Sequence, residues 1–347
     1  MTNKKAFFSA CLAVAGLLMV AHPASAQWGS KADMYSEDGV QVGVDSRVFS
    51  VLTMLNQHGF NAEKYLGPEP LKQPQYSETR VRIRKLMRRL GPVQKKFRGF
   101  IDKTPEGFER YVARALVAGK APGFETTMSD DAKARALAEY LHNWYHEEGG
   151  SGFYDIAVKM EKSRQAALVE AINTMTATIQ STIIMGDTED ALLEEELNPL
   201  GRVVVVIAPM APHGWLKRLE TPDVTYVVTG PWREDTHVQE VANVVAVAFA
   251  RTLVGGLVQA QPGKLEAFKK VHSQWSEEAP KPDSAAFLAA EIIACASYQH
   301  ATESEVCPLS VALQDPQGVK TTNKIKKKLT KLVKDKALFK DILPEIL

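Results

Sequence analysis

Apolar residues recur every three or four positions through the first half of the chain, a pattern typical of amphipathic helices. It predicts helices over Arg47–His58 and Ser77–Leu90. A third helix is expected to begin with Thr104 as its cap and Pro105 at its first position. The apolar stripe of this third helix contains Phe108, Tyr111, Val112, Ala115 and Leu116. Two further stripes contain Leu137, Leu141, Trp144 and Tyr145, and Phe153, Ile156, Met160, Leu168 and Ile172.

The pattern changes after Pro199. Arg202–Ile207 and Val224–Thr229 are continuous runs rich in β-branched residues, which is typical of strands buried on both faces. The second run ends at Gly230-Pro231, a turn signal. The sequence therefore predicts a small sheet in the second half of the molecule.

Two helices are predicted around this sheet. One begins after a cap at Asp235 or Thr236 and ends at Gly255-Gly256, and the other spans Ser284–Tyr298. Together with the strands they predict the α+β class, with a mostly helical N-terminal half followed by a small sheet and a buried central helix.

The first 26 residues have the layout of a secretory signal peptide. Lys4 and Lys5 precede an apolar run, and the small residues Ala24-Ser25-Ala26 follow it. We expect cleavage between Ala26 and Gln27 and export to the periplasm or the exterior. A membrane anchor is the alternative, but about 16 apolar residues fall short of the ~20 that a spanning helix needs.

A second apolar run, from Val241 to Ala260, has the length of a membrane span. Asn243, Arg251 and Gln259 interrupt it, and an Arg near the bilayer centre costs at least ~2.5 kcal/mol. A helix in the core of a soluble protein is the better interpretation, so the mature chain is expected to contain no transmembrane segment.

Export gives the cysteines a specific meaning. Cys295 and Cys307 are the two that remain after cleavage, and thiols in an oxidising compartment tend to pair. A disulfide between them would pin a helix end to its own exit loop; two buried free thiols are the alternative.

Charge is balanced overall but unevenly distributed. The net charge is +1, which gives no case for nucleic-acid binding. Residues 320–347 contain nine Lys against three acidic residues, and an apolar stripe of Ile325, Leu329, Leu332, Val333 and Phe339 predicts an amphipathic helix there. The stripe is expected to pack on the parent domain; the alternative is a tail that docks on an anionic surface.

Motifs of catalysis are absent from the sequence. It contains no phosphate-binding loop, no dinucleotide-binding glycine motif and no H-E-x-x-H. Residues 149–153, Gly-Gly-Ser-Gly-Phe, are interpreted as a flexible interhelical loop. His142 and His146 are spaced i, i+4 and could share a cation, although they flank the apolar stripe of a helix.

The order of elements in the second half resembles the core of the zincin metallopeptidases. Strands Val203–Ile207 and Val224–Thr229, a long helix over Thr236–Val254 and a later helix bearing Glu291 occur in that family's order. The resemblance implies a sheet edge strand over a metal-binding helix, with an acidic ligand from the later helix. The expected division is a signal peptide over 1–26, a helical layer over 27–195, a zincin-like core over 196–319 and a basic helix over 320–347.

The chain departs from that family where the metal ligands belong. Residues 241–250 are apolar apart from Asn243 and offer no ligand, and only Glu291 keeps the chemical type of a family ligand. We therefore expect a degenerate member that uses no cofactor and acts as a non-catalytic binding or scaffold protein, with an extended peptide or protein as partner. The alternative is a metal-dependent hydrolase whose site has moved to His142, His146 and His237, with Glu291.

Overall fold

The fold is described from a computed structural model that covers residues 34–37, 40–58, 77–88, 95–103, 107–125, 131–183, 201–221, 224–232, 235–259, 262–276 and 284–334. The helices in it are α1 (Ser46–Gln57), α2 (Glu78–Met87), α3 (Lys95–Lys103), α4 (Phe108–Val117), α5 (Ala132–Glu147), α6 (Gly150–Ile183), α7 (Asp235–Gln259), α8 (Glu266–Ser273), α9 (Ala285–Ala301) and α10 (Pro316–Lys334). The predicted signal peptide lies outside the described residues.

Five strands form one mixed sheet. They are β1 (Met34–Glu37), β2 (Val40–Gly43), β3 (Arg202–Ile207), β4 (Leu216–Glu220) and β5 (Val224–Thr229), in the order β1-β2-β3-β5-β4. The three inner strands run parallel, and the two edge strands, β1 and β4, run antiparallel to their neighbours. A small sheet within a mostly helical chain confirms the α+β class.

Helices cover both faces of the sheet. Every residue from Val203 to Val206 is fully buried, which requires packing on both sides of β3. On one face Tyr226 contacts Arg47 of α1. On the other face Thr225 contacts Arg251 of α7. The sheet is therefore the middle of three layers.

Helix α7 is the central helix of the core. It is the one described helix long and apolar enough to cross a membrane, and 78% of its apolar window is buried inside the fold. It packs against α6, α9 and the inner strands β3 and β5. Gly255-Gly256 does not end it, contrary to the prediction, because a helix packed on several sides tolerates the modest cost of interior glycines.

Several predicted boundaries are wrong. Helix α4 begins at Phe108 with Gly107 as its N-cap, not after Thr104 and Pro105, which lie outside the described residues. Gly150 opens the 34-residue helix α6, so the predicted flexible loop shrinks to a tight turn at Gly149, whose φ of 77° favours glycine. The segment predicted as a helical layer, residues 27–195, also contributes β1 and β2 to the sheet.

The basic helix α10 is docked on the body of the protein. It begins at Pro316, four residues before the predicted start, and packs on α9. Ile325 and Leu329 of the predicted stripe are buried in a core cluster that also contains α9 residues. The side chains of Leu332 and Val333 and residue 339 lie outside the described part of the chain.

A disulfide braces the junction between α9 and α10. Cys295 and Cys307 are bonded to each other, with their Cα atoms 5.5 Å apart. Cys295 lies in α9, and Cys307 lies in the connecting loop, where Lys326 of α10 donates to the carbonyl oxygen of Ser304 at 2.8 Å. The loop is thus attached to both helices.

Candidate functional site

Four charged side chains meet where the edge strand β4 crosses α7 and α9. We call Arg218, Glu220, Arg251 and Glu291 the arginine–glutamate cluster. Arg218 donates to both carboxylate oxygens of Glu291 at 2.8 Å each, and its Nε donates to Glu220 at 2.6 Å. Arg251 donates to Glu220 at 2.9 Å. Two cations and two anions therefore balance within the layer interface.

Neutral groups complete the coordination of the two carboxylates. Ser310 donates its hydroxyl to Glu291 at 3.0 Å, and Thr225 donates to Glu220 at 2.6 Å. The guanidinium carbon of Arg251 also lies 4.4 Å from the centre of the Phe287 ring, a cation–π distance. Glu291 is fully buried and needs this number of donors, because an unsatisfied charge inside a protein is costly, whereas Glu220 is exposed.

The electrostatics of the cluster favour its ionised form. Burial disfavours the charge of Glu291, but attraction and hydrogen bonds from Arg218 outweigh it, so the pKa of Glu291 lies below its ordinary value. The same two opposing effects raise the pKa of Arg218, whose main partner is Glu291. Burial lowers the pKa of Arg251, which Glu220 only partly offsets.

Strand β4 itself is an open edge in the part of the chain that the structure describes. The amide of Gly230 donates to the Trp215 carbonyl oxygen, and the amide of Thr221 donates to that of Val224. Alternate residues of an antiparallel strand bond to the same neighbour, so Lys217 and Leu219 face β5 in this ladder.

The intervening residues direct their backbone groups outward. Leu216, Arg218 and Glu220 have no backbone hydrogen bond to any described residue, and β5 is the only described element that packs along the length of β4. Their amide and carbonyl groups form a row that an additional strand could bond.

Side chains brace this edge from the opposite face as well. Lys217 lies 3.1 Å from the carboxylate of Glu109 in α4. Trp215, directly before the strand, is buried with its ring centre 4.9 Å from that of Phe108. The edge strand is therefore fixed to helices on both faces, although its outer side is open.

The candidate metal ligands do not form one site. Among the described residues, no group of three or more His, Cys, Asp or Glu side chains could hold a metal ion. His142 and His146 are close, with ring centres 4.5 Å apart, and Nε2 of His146 bonds to the carbonyl oxygen of Pro122 at 2.7 Å. Both side chains are exposed on the surface of α5.

His237 and Glu291 occupy separate environments. Nε2 of His237 lies 2.9 Å from the Thr229 hydroxyl, and Nδ1 lies 3.4 Å from Glu240. Burial lowers the pKa of His237. Glu291 is bound within the arginine–glutamate cluster, where guanidinium groups fill the space that a cation would need.

The face of α7 contains packing residues where a zinc-binding helix would carry its ligands. Val244, Val245, Val247 and Ala248 are at most 1% exposed, so the prediction that they are buried in the core is confirmed.

Two further buried polar clusters were not predicted. Asp45 caps α1 and pairs with Arg47 at 2.7 Å, and Arg47 also donates to the Leu116 and Ala118 carbonyl oxygens at the end of α4. Burial opposes the charge of Asp45, but Arg47 lowers the pKa of that carboxyl overall.

The second of these clusters joins α1, α2 and the loop after β3. Arg80 donates to the Asn56 side-chain oxygen at 2.9 Å through Nε, and Asn56 donates to the Met210 carbonyl oxygen at 3.2 Å. Both clusters join separate segments of the fold: Arg47 links α1 to the end of α4, and Asn56 links α1 to the loop after β3. Asp45 followed two residues later by Arg47 is the one signal that the sequence offers for either.

The arginine–glutamate cluster was also missed, apart from Glu291. Its members come from three segments, and Arg218 and Glu291 are separated by 73 positions. No local spacing marks such a set.

No family model, curated protein or solved structure matches the chain.

Proposed function

We propose that this is an exported, non-catalytic, metallopeptidase-like binding or scaffold protein whose edge strand β4 pairs with an extended peptide. The observation that carries the proposal is the outward row of backbone groups on Leu216, Arg218 and Glu220. An extended peptide that adds a strand to such an edge gains main-chain hydrogen bonds without any catalytic group.

The arginine–glutamate cluster supports the proposal because it makes the edge rigid. Arg218 and Glu220 lie on β4 itself, and their ion pairs fix the strand to α7 and α9. An edge strand that is already held in the extended conformation loses little conformational entropy when a partner strand pairs with it.

The same cluster supports a non-catalytic role. A hydrolytic zinc site needs three protein ligands and an open position for water. Glu291 is saturated by Arg218, Arg251 and Ser310, and the neighbouring face of α7 is apolar. The proposed likeness to metallopeptidases rests on the order of elements along the chain, in which strands are followed by a long helix and a later helix bearing Glu291.

Export is the part of the proposal that rests on the sequence. The layout of residues 1–26 favours a signal peptide. The disulfide between Cys295 and Cys307 supports it, because such bonds persist in oxidising compartments.

The test removes one outward amide while preserving the ladder to β5. Ten-residue peptides are selected on the wild-type protein from a displayed library, and their affinity is then measured for Leu216→Pro and for Leu216→Ala. Proline lacks the amide hydrogen and is tolerated on the open side of an edge strand. Alanine removes the same side chain but keeps the amide, so it is the matched control.

We expect Leu216→Pro to weaken binding at least tenfold, and Leu216→Ala to weaken it much less. Circular dichroism and thermal unfolding establish that both variants are folded. Equal affinity for the two variants, or a selection that yields no binding peptide, would contradict the proposal.

A further inference from the structure

Four lysines form a straight stripe along the outer face of α10. Lys320, Lys324, Lys327 and Lys331 are all exposed, and their spacing of four, three and four residues keeps them on one side of the helix. At a rise of 1.5 Å per residue the stripe is about 16 Å long.

The helix presents this stripe away from the protein because its opposite face is anchored. Thr322, Ile325 and Leu329 are buried against the body of the fold. The orientation of the lysine stripe is therefore fixed by packing.

The stripe has no internal counterions in the described part of the chain. None of its four ammonium groups lies within an ion pair or hydrogen bond of a described carboxylate, and residues 316–334 contain no acidic side chain. Residues 27–319 carry a net charge of −7, yet no carboxylate in the described ranges pairs with these lysines. Fixed, unpaired positive charge on one face is complementary to an anionic surface.

Exposed apolar side chains lie beside the same helix. Val306, Leu309 and Val319 are 68%, 44% and 37% exposed, and the described residues contain just one other large apolar side chain that is exposed, Val81. The disulfide and the contact between Lys326 and the Ser304 carbonyl oxygen hold the loop that carries the first two against α10.

We infer that α10 and this loop form a docking surface for an anionic lipid bilayer. Lysines are attracted to acidic headgroups, and the exposed apolar side chains can enter the interfacial region of a bilayer. A purely polar polyanion would offer nothing for these apolar side chains to contact, so the combination favours a lipid surface. Glu303 and Glu305 are exposed in the loop and oppose the attraction, so the lysine stripe supplies the electrostatic part. This surface is independent of the β4 edge.

The test is co-sedimentation of the purified protein with vesicles of equimolar phosphatidylglycerol and phosphatidylcholine, compared with pure phosphatidylcholine. The stripe variant changes Lys320, Lys324, Lys327 and Lys331 to Gln. The matched control changes Lys159, Lys162, Lys264 and Lys270 to Gln, which are exposed lysines outside α10. Both have the same net charge, and thermal unfolding confirms that both are folded.

We expect binding to the anionic vesicles alone, with a loss of about fivefold per lysine in the stripe variant and much less in the control. Raising the salt from about 0.1 M to 1 M abolishes the binding, because the screening length shortens from ~10 to ~3 Å. Val306→Ser weakens binding to anionic vesicles without changing its salt dependence.

Three results would overturn the inference. The stripe variant could bind as tightly as the wild type, the two quadruple variants could lose affinity equally, or the protein could bind soluble heparin but no vesicle. The second result would assign the effect to net charge, and the third to a polyanion site.

Discussion

The carboxylate of Glu291 is fully buried, and its charge is compatible with that position because guanidinium groups lie against it. A buried ion pair of this kind contributes little relative to well-packed apolar side chains, but removal of one partner leaves the other as an isolated buried charge. Replacing either Glu291 or its arginine partner alone is therefore expected to destabilise the interface behind β4.

The first prediction is that Glu291→Gln lowers the free energy of unfolding by about 3 kcal/mol at pH 7, because Arg218 keeps its charge without its main partner. Urea unfolding measures it. Glu170→Gln, an exposed change, serves as control and is expected to cost less than about 0.5 kcal/mol. Replacing Arg218 and Glu291 together by Met is expected to cost less than Glu291→Gln alone.

The difference in unfolding free energy between the wild type and Glu291→Gln also depends on pH. The pKa of Glu291 is lower in the folded state than its ordinary value, so its stabilising contribution is present above the unfolded pKa and is lost as pH falls through the folded pKa. The two unfolding free energies should converge as the solution becomes more acidic. A gap that stays constant down to acid pH would contradict the assignment.

At the scale of elements, sequence periodicity predicts strands β3 and β5 and misses the inner strand β2 and both edge strands. Strands β3 and β5 were predicted because their apolar runs are short and rich in β-branched residues, which favours a buried strand over a buried helix. Strand β4, Leu-Lys-Arg-Leu-Glu, was missed because it has neither regular alternation nor β-branched residues. Its extended conformation is determined by pairing with β5 and by ion pairs to distant helices, which no local pattern records.

Helix α10 could be predicted from the sequence, but the element that it packs against could not. The spacing of Ile325 and Leu329 predicts an amphipathic helix, and the structure buries both residues. The identity of the covering element, α9, depends on tertiary packing and on the disulfide. For the candidate site, the sequence supplied Glu291 but neither of its arginine partners.

The second prediction concerns the disulfide between α9 and the loop. Replacing Cys295 and Cys307 together by Ala is expected to lower the unfolding free energy by ~3 kcal/mol, since the bond closes a loop of about 13 residues in the unfolded chain. Urea unfolding of the double variant and of the wild type in a reducing agent should agree with each other. Unchanged stability in both would show that the bond is absent from the purified protein.

The third prediction is that α7 and α9 hold no metal. Metal analysis of the purified protein should find well below one equivalent of zinc, because residues 241–250 of α7 offer no ligand and Glu291 is already paired. The double variant His142→Ala/His146→Ala should contain equally little zinc. Peptide hydrolysis that a chelator abolishes and zinc restores, and that is lost in the double histidine variant, would instead establish the relocated-site hydrolase.

Across the whole molecule, ion pairs lie on both faces of the sheet, and on each face one pair includes a buried carboxylate, Asp45 or Glu291. The Asp45–Arg47 pair lies on one face of the sheet, and the arginine–glutamate cluster lies on the other. Strand β4 is one of the two edges of this sheet, and the outward backbone groups of Leu216, Arg218 and Glu220 have no hydrogen bond to any described residue.

The fourth prediction addresses export of the complete chain. Intact-mass measurement of the exported protein should give a chain that begins at Gln27, because Ala24-Ser25-Ala26 is a site of the small-residue type that signal peptidase cleaves. A species that retains residues 1–26 would contradict the proposed processing.

Residue-resolved amide hydrogen exchange in β4, with and without a selected peptide, tests whether the outer side of β4 binds an extended peptide. Without peptide, the amides of Leu216 and Arg218 should exchange much faster than those of Lys217 and Leu219, which bond to β5. Bound peptide should slow the first pair strongly and leave the second pair unchanged. Equal protection of all four amides in the free protein, or no change in Leu216 and Arg218 on binding, would contradict the account.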